Sequence, residues 1–341
     1  MHKTSTSRWS KFTGWIQTRK KELFLLGVST LFCILIFEIF ARVYFFTPKG
    51  LIPKYGNSVE HMGVSGLVQK SDDCEILYEL KPNVDDFYKL ARFRTNSKGL
   101  RDKEYDLDKK ENTIRVAVLG DSLTMPSGVT IDESYHGLLE KWYNEEDKAH
   151  TYEFINFGVG GYSLEQSLAT LRNKALEYQP DHILLGAFLG NDIPVKNEKK
   201  KSCDSYKVKK RANPYVQSWG WQLVGKKTGV TKKPEKSTDY DLNALDSILS
   251  EYKSVSVESK IPMTIVTLRI HPEKNSAEFQ EFTRYARAYN VPVIDTGKGF
   301  SGEEKDIKKF KIYPYDGHPN PEAHRMLAEE IKKSLDLIHG E

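Results

Sequence analysis

From Thr113 onward, short apolar segments alternate with longer amphipathic ones. The short segments are rich in β-branched residues, as buried parallel strands are; they are Ile114–Leu119, Glu153–Phe157, His182–Phe188, Met263–Leu268 and Val291–Ile294. The segments between and after them predict helices, namely Tyr135–Asn144, Ser163–Tyr178, Leu242–Glu258, Ser276–Tyr289 and a last helix from Pro321, capped by Asn320, to about Ile338. Strands that alternate with helices predict an α/β sandwich with a mainly parallel sheet.

The N-terminal part of the chain predicts a membrane anchor. Residues 1–22 carry six Lys or Arg against Glu22 alone, a local charge of +5 in a chain whose net charge is only +4. The apolar run 23–46 follows directly, and at 1.5 Å per residue it is long enough to cross a hydrocarbon core of about 30 Å. By the positive-inside rule the basic tail stays in the cytoplasm. The rest of the chain is then expected on the periplasmic or extracellular side of the cell (inner) membrane.

Two other interpretations of this run remain open. A cleaved signal peptide has a shorter apolar stretch and a small-x-small cleavage site, whereas bulky residues follow this one; a buried core helix is the other alternative. Glu38 and Arg42 lie one helical turn apart and can form an ion pair. Tyr44, Phe45 and Phe46 are suited to the membrane interface. A single uncleaved transmembrane helix is therefore the favoured interpretation.

The remaining organisation follows from composition. Residues 47–112 are punctuated by Pro and Gly and predict a linker with a small β-rich flank, and residues 113–341 form the main domain. An insertion at 193–237 carries thirteen Lys or Arg against three acidic residues, a local charge of +10. It is either a solvated loop or a contact surface for anionic lipid headgroups or acidic glycan.

Charge and cysteine content exclude several classes of protein. The apolar share of 39% excludes wholesale disorder, and the small net charge gives no support for nucleic-acid binding. The three cysteines match no zinc pattern. Cys74 and Cys203 both follow the predicted anchor, so a disulfide between them can persist, but the sequence leaves the pairing open. Cys33 lies within the anchor.

Two short motifs supply candidate catalytic groups. The first predicted strand ends in Gly120-Asp121-Ser122-Leu123-Thr124, which places Ser122 at the carboxyl edge of the sheet, where ligands bind in such folds. Near the C-terminus, Asp316-Gly317-His318-Pro319 precedes the last helix, and the following proline predicts that His318 lies in a loop. A serine nucleophile needs an adjacent base, and that base needs an acceptor on its other nitrogen. Ser122, His318 and Asp316 are of the required types.

Two further loops offer donors for an oxyanion, which is often the largest catalytic contribution. Asn156-Phe157-Gly158-Val159-Gly160-Gly161-Tyr162-Ser163 is a glycine-rich loop after the second strand, and Leu189-Gly190-Asn191-Asp192 follows the third strand. Taken singly, each is equally consistent with a turn or a helix cap. Four such loops in order, each after its own strand or before the last helix, favour a catalytic site.

Together these motifs resemble the SGNH, or GDSL, hydrolase family over residues 113–192 and 260–338. The segment 96–102, Asn-Ser-Lys-Gly-Leu-Arg-Asp, also resembles the segment that precedes the first strand in membrane-anchored bacterial members. The resemblance implies a three-layer α/β/α sandwich, with Ser122 as nucleophile, His318 as base and Asp316 as its orienting carboxylate. It also implies an oxyanion hole made by the backbone N–H groups of Ser122 and Gly161 and the side-chain amide of Asn191.

The chain departs from the family pattern at two places. The acid usually lies three residues before the histidine, a position that Tyr315 occupies here, so that Asp316 represents a shorter spacing. Met125-Pro126-Ser127-Gly128 replaces a more glycine-rich turn. Within the glycine loop Gly161 is expected to be the donor in preference to Gly158, because it lies five residues after Asn156, as the family's donor does.

The resulting expectation is a membrane-anchored extracytoplasmic serine esterase that hydrolyses carboxylic (acyl or acetyl) esters with neither a metal ion nor an organic cofactor. Its expected partners are an ester substrate, acylated glycan or lipid, and the membrane. One alternative is an O-acyltransferase that acts on surface polysaccharide, in which a sugar hydroxyl replaces water. Another is a catalytically silent binding or scaffold module. The sequence leaves open the acyl group, the alcohol and the oligomeric state.

Overall fold

A computed structural model describes the chain in several stretches and divides it into two compact units. The described residues are 12–13, 15, 17–52, 62–196, 203–204, 206–208, 224, 239–270, 277–302, 304–313 and 316–335. One unit contains residues 1–51 and 215–233, and the other contains residues 52–214 and 234–341. Most of the predicted basic insertion and the predicted end of the last helix lie outside the described residues.

The first unit is dominated by helix α1, Lys20–Phe46, followed by a 3₁₀ turn at Pro48–Leu51. Residues 20–45 have the length and composition of a membrane span, with a hydropathy of 2.5 and none of the most apolar window buried. A signal sequence near an N-terminus meets the same criteria. The predicted ion pair is present, because Arg42 Nε lies 3.0 Å from Glu38 Oε1.

The second unit is built on a five-stranded parallel sheet. Its strands, which follow the four short strands β1–β4 of the preceding flank, are β5 Thr113–Gly120, β6 Thr151–Asn156, β7 His182–Ala187, β8 Met263–Thr267 and β9 Val293–Asp295. Their order in the sheet is β6-β5-β7-β8-β9. Each begins and ends within two residues of the segment predicted for it. The predicted fold class, an α/β sandwich with a mainly parallel sheet, is confirmed.

Helices follow the strands in the predicted order. They are α2 Tyr135–Glu146, α3 Leu164–Asn173, α4 Leu189–Asp192, α5 Leu242–Ser259, α6 Ala277–Ala288 and α7 Pro321–Leu335. Short 3₁₀ helices lie at Met62–Val64, Ile131–Glu133, Ala175–Tyr178, Thr296–Phe300 and Glu304–Phe310. The predicted helix 163–178 is thus divided into α3 and a separate 3₁₀ turn. Asn320 caps α7 as predicted, since its Oδ1 accepts a hydrogen bond of 3.0 Å from the Ala323 N–H.

Apolar helix faces cover both sides of the sheet and produce three layers. One side contains buried residues of α3, α5 and α6, among them Leu168, Tyr252 and Phe282, packed against strand residues such as Leu119. The other side contains buried residues of α2 and α7, packed against strand residues that include Val118, Leu184 and Val266. Successive strand residues point to opposite faces, so both faces of each central strand are buried.

The flank before the sheet consists of two antiparallel hairpins, β1 Val68–Lys70 with β2 Tyr78–Leu80 and β3 Asp85–Tyr88 with β4 Ala91–Arg94. Their apolar side chains form a third core together with residues of the loops that follow β5 and β6, including Met125, Val159 and Tyr162. The flank therefore packs against the predicted catalytic loops. A disulfide bond joins Cys74 of the flank to Cys203, with 5.1 Å between the Cα atoms.

A last hairpin, β10 Lys311–Tyr313 with β11 Asp316–Pro319, precedes α7. His318 lies in β11, whereas the sequence predicted a loop. A proline favours extended backbone at the residue before it, and pairing with β10 turns that local preference into a short strand. The adjacent chain at 314–315, which includes Tyr315, lies outside the described residues.

Candidate active site

The loops that carry the predicted catalytic residues meet at one edge of the sheet. Strands β5, β6 and β7 are parallel neighbours, so their carboxyl ends lie at the same edge. Ser122 follows β5, Gly161 follows β6 and Asn191 follows β7. The hairpin β10–β11 brings Asp316 and His318 to the loop after β5 from the far end of the chain.

Ser122, His318 and Asp316 form a continuous hydrogen-bonded chain. His318 Nε2 lies 2.8 Å from Ser122 Oγ, and His318 Nδ1 contacts Asp316 Oδ1. The same carboxylate oxygen accepts a hydrogen bond of 3.0 Å from the His318 backbone N–H. The Asp316 side chain therefore folds towards the residue two positions later, where one oxygen contacts both the backbone N–H and the ring of His318. This arrangement leaves Nε2 facing the serine hydroxyl.

Asp316 is held in its ionised form. Burial raises the pKa of its carboxyl, but the hydrogen bond from His318 and the positive charge of Lys89 outweigh burial and hold that pKa well below its usual range. The side chain is only 10% exposed, so the interactions are weakly screened by water. The carboxylate can therefore stabilise positive charge on the ring of His318.

The glycine loop after β6 lies against the nucleophile loop. A Cβ atom at Gly158 would come within 2.8 Å of Thr124 Cγ2, so only glycine permits this approach. The Gly158 N–H donates to Asn156 Oδ1 at 2.9 Å, and the Gly160 N–H faces Met125 Sδ at 3.2 Å. Both amides are thus engaged inside the protein and are poor candidates for an oxyanion donor.

Two backbone amides remain available at this edge. Gly161 is exposed and adopts φ +85°, a conformation that glycine favours. Within the described parts of the chain, the N–H groups of Ser122 and Gly161 have no acceptor. Available N–H groups beside a nucleophile are suited to hold a developing oxyanion. The preference for Gly161 over Gly158 agrees with this pattern, and the role itself stays a prediction.

Asn191 lies in the short helix α4, Leu189–Asp192, directly after β7. The backbone is therefore at the predicted edge of the sheet, but the Asn191 side chain lies outside the described residues. Its neighbour Asp192 closes the turn, since Asp192 Oδ2 accepts a hydrogen bond of 2.7 Å from the Phe188 N–H. The amide of Asn191 as third oxyanion donor stays a prediction.

The segment 96–102 acts by holding the catalytic loops. The buried guanidinium of Arg101 donates to the carbonyl oxygens of Met125, Pro126 and Val129, the last at 2.6 Å. Burial lowers the pKa of Arg101 to about 9. Asp102 Oδ2 accepts a hydrogen bond of 2.9 Å from the Asn156 N–H at the end of β6. The sequence showed the resemblance of this segment but not its purpose, which depends on contacts with distant loops.

Two residues of the flank also contact the site, although no sequence motif marks them. The hydroxyl of Tyr78 donates to the carbonyl oxygen of Gly160, and the ammonium group of Lys89 lies 2.6 Å from Asp316 Oδ2. Neither residue belongs to a motif. Lys89 is followed by Leu90, Ala91 and Arg92, and nothing in this short pattern indicates that the lysine side chain is buried beside a carboxylate.

Two histidines near the site are kept neutral by the core. His136 and His324 are fully buried, and burial lowers the pKa of each to about 3. His136 Nε2 donates to the Thr124 carbonyl oxygen at 3.1 Å, and His324 Nδ1 accepts from the Tyr135 N–H at 3.3 Å. They support the loop after β5 and the start of α2. In the described residues no group of three or more His, Cys, Asp or Glu side chains is suited to hold a metal ion.

Comparison with solved structures returns esterases and lipolytic proteins. A two-domain esterase active on acetylated mannans is 17% identical, with a TM-score of 0.44 over 67% of this chain and 50% of that one. An acetyl xylan esterase is 17% identical, with a TM-score of 0.39 over 65% and 100%. A putative lipolytic protein of the G-D-S-L family from Desulfitobacterium hafniense DCB-2 is 13% identical, with a TM-score of 0.39 over 64% and 98%.

This chain therefore spans about half the length of the two-domain esterase. No protein-family model matches the chain, and no curated protein matches it either. The identities of these solved structures lie between 13% and 17%, and their TM-scores lie between 0.39 and 0.44.

Proposed function

We propose that this chain is a serine esterase that hydrolyses carboxylic esters through an acyl-enzyme. The observation that carries the proposal is the distance of 2.8 Å between Ser122 Oγ and His318 Nε2, with Asp316 on the other nitrogen of the ring. A serine, a histidine and a carboxylate in this order form the arrangement that activates a hydroxyl for acyl transfer.

In the first step Ser122 Oγ attacks the carbonyl carbon of the ester while His318 Nε2 takes the hydroxyl proton. The new C–O bond gives a tetrahedral intermediate, whose oxyanion is stabilised by the N–H groups of Ser122 and Gly161 and by the Asn191 amide. His318 then returns the proton to the alcohol oxygen as the C–O bond to the alcohol breaks. The products are a free alcohol and an ester of Ser122.

In the second step water replaces the alcohol. His318 takes a proton from the water as its oxygen attacks the acyl carbon, and the same donors hold the second oxyanion. The bond to Ser122 Oγ then breaks, and the proton passes from His318 to Ser122. Asp316 stays ionised throughout and stabilises the positive charge that forms on the ring in both steps.

The proposed location is the outer face of a membrane, with helix α1 as the anchor. The helix is apolar and most of its side chains up to Phe40 are exposed, although Ala41 and Phe45 are buried. Basic residues precede it. A second, independent support is the disulfide between Cys74 and Cys203, because disulfides persist in oxidising compartments and are rare in the cytosol. A tethered esterase would act on acyl esters of surface glycan or lipid.

The test of the chemistry is Ser122→Ala in the full-length chain, with p-nitrophenyl acetate as substrate and a fluorophosphonate as active-site probe. We expect the wild type to hydrolyse the ester and to gain one probe adduct by intact mass, and Ser122→Ala to do neither while it keeps its unfolding temperature. Ser127→Ala is the matched control, since it removes a buried hydroxyl from the same loop. Full activity in Ser122→Ala would exclude the proposal.

A separate test addresses the location. Membranes that contain the full-length chain are treated with a membrane-impermeant thiol reagent, before and after reduction. We expect labelling of Cys74 and Cys203 only after reduction and only from the outer side. Labelling of both residues without reduction, or from the cytoplasmic side only, would contradict the proposed location. A panel of acyl esters from short to long then defines the acyl group.

A further inference from the structure

A buried lysine from the flank completes the charge arrangement behind His318. Lys89 is 2% exposed, and its Nζ lies 2.6 Å from Asp316 Oδ2. The two oxygens of the carboxylate therefore have different partners, because Oδ1 faces the ring and the backbone N–H of His318. A carboxylate held at both oxygens cannot rotate away from the ring without breaking a buried ion pair.

The tip of the β3–β4 hairpin delivers this side chain. Lys89 and Leu90 form its two-residue turn, and both adopt positive φ, 47° and 68°. Asn and Gly are the usual residues in turns of this kind, so a lysine here is uncommon. The Lys89 ammonium group lies over the neighbouring aromatic ring, with Nζ 5.6 Å from the centre of the Tyr88 ring. The hairpin thereby brings a cation into a site whose other members come from the sheet domain.

We propose that Lys89 is a positioning residue that clamps the Asp316 carboxylate onto His318 and sets the pH range in which His318 accepts the Ser122 proton. Lys89 is buried, so the clamp is proposed to act on the carboxylate and the ring and not on substrate. The same ammonium group lies 3.2 Å from His318 Nδ1. A positive charge at that distance opposes a second positive charge on the ring, so Lys89 favours the neutral imidazole that the first step needs.

The groups around His318 determine how strongly this charge acts. They are Asp316 on the same strand, Lys89 and Tyr88 at the hairpin tip, Ser122 after β5 and His324 of α7. Arg101 belongs to the same set, because its charge acts on Tyr88 and on His324. His324 is neutral, because burial lowers its pKa to about 3. Burial, followed by the charge of Asp316, raises the pKa of Tyr88 well above its usual value. Of this set, Lys89 is the cation in contact with the Asp316–His318 pair.

The inference rests on the proposed esterase function, and its test compares Lys89→Met and Lys89→Arg with the wild type. Met keeps the length of the side chain and removes its charge, whereas Arg keeps the charge. We expect Lys89→Met to lower kcat roughly tenfold with little change in KM. We also expect the acidic limb of its kcat/KM profile to move to higher pH by about one unit, and Lys89→Arg to restore the limb towards its wild-type position.

Arg92→Met is the matched control, because it removes another cation from the same hairpin. The ion pair that Arg92 forms with Asp85 is half exposed. It should leave both the rate and the limb unchanged. A wild-type profile in Lys89→Met would overturn the inference. So would a lower rate with an unmoved limb, because that result means that Lys89 supports only the packing of the hairpin.

A second measurement separates this inference from the esterase proposal. The titration of the His318 ring, followed by NMR in the full-length chain and assigned by its loss in His318→Gln, needs no substrate. We expect the midpoint to move to higher pH in Lys89→Met. If the wild type hydrolyses no ester but the midpoint still moves in Lys89→Met, the esterase proposal is contradicted and the role of Lys89 as the clamp is supported. If the midpoint does not move, the clamp is overturned whatever the activity.

Discussion

The hydroxyl group of Tyr78 donates a hydrogen bond to the carbonyl oxygen of Gly160, with 3.0 Å between the two oxygen atoms. Because a trans peptide group is planar, the Gly160 carbonyl and the Gly161 N–H point in opposite directions. Tyr78 therefore also determines where the Gly161 N–H points. The Tyr162 hydroxyl donates to the Tyr78 carbonyl oxygen at 2.6 Å. Strand β2 thus donates one hydrogen bond to the glycine loop and accepts another from it.

Tyr78→Phe is therefore expected to slow the proposed ester hydrolysis without changing how substrate binds in the ground state. The buried Gly160 carbonyl loses its donor, which costs about 1–3 kcal/mol, and the Gly161 N–H loses its fixed direction. We expect kcat to fall about tenfold while KM stays near the wild-type value. Steady-state kinetics with p-nitrophenyl acetate measure both constants.

Tyr289→Phe is the control for this variant. It removes a hydroxyl, on the residue directly after α6, that donates to Asp246 Oδ1 of α5 at 2.8 Å. Its kcat should equal that of the wild type. An unchanged kcat in Tyr78→Phe would mean that the glycine loop keeps its orientation without the tyrosine.

Asn191→Ala tests the third oxyanion donor. Loss of one such donor typically lowers kcat by about 10²–10³, and we expect an effect of that size with a much smaller change in KM. Asn173→Ala serves as the comparison, because its amide bonds Asp73 at an exposed position on α3. Equal turnover in the two variants would remove Asn191 from the proposed site.

Arg101→Met is expected to destabilise the second unit. The buried carbonyl oxygens of Met125 and Val129 lose their donor, whereas the Pro126 carbonyl oxygen keeps its hydrogen bond from the Val129 N–H. At about 1–3 kcal/mol for each unsatisfied buried group, we expect a loss of several kcal/mol in the free energy of unfolding. Chemical denaturation monitored by tryptophan fluorescence measures this loss, and Arg92→Met, which breaks an exposed ion pair, should show little of it.

Asp316→Asn is expected to affect both activity and the pH dependence of stability. An amide can also donate to the ring of His318 and so favour the wrong tautomer, and it carries no charge to stabilise the protonated ring, so we expect kcat to fall by about 10⁴. In the wild type the pKa of Asp316 is held well below its usual range by His318 and Lys89 against the opposing effect of burial. A depressed folded-state pKa contributes stability above the unfolded value of about 3.9, and that stability is lost as the pH falls towards the folded value.

The stability difference between the wild type and Asp316→Asn should therefore be largest above about pH 5 and shrink below about pH 4. Thermal unfolding across this range measures it. A difference that stays constant as the pH falls would show that the ionised carboxylate adds nothing to the stability of the fold.

Much of the fold was predictable because local periodicity carries it. Each strand of the sheet was placed within two residues, and the Asn320 cap was read correctly from a short polar residue before a proline. The predicted helix 163–178 was too long, since it ends at Asn173 and a 3₁₀ turn follows. His318 was expected in a loop and lies in a short strand, because its partner strand β10 carried too weak a pattern to be recognised.

The α/β architecture and the groups for which a catalytic role is proposed could be read from the sequence, because strand and helix periods and the motifs around Ser122 and His318 are local properties of the chain. The neighbours of these groups could not be read in this way and are known from the folded structure. Lys89 and Tyr78 lie 227 and 82 residues from their partners Asp316 and Gly160. Contacts across such distances depend on how the flank packs onto the sheet domain, and packing leaves no period in the sequence from which it could be read.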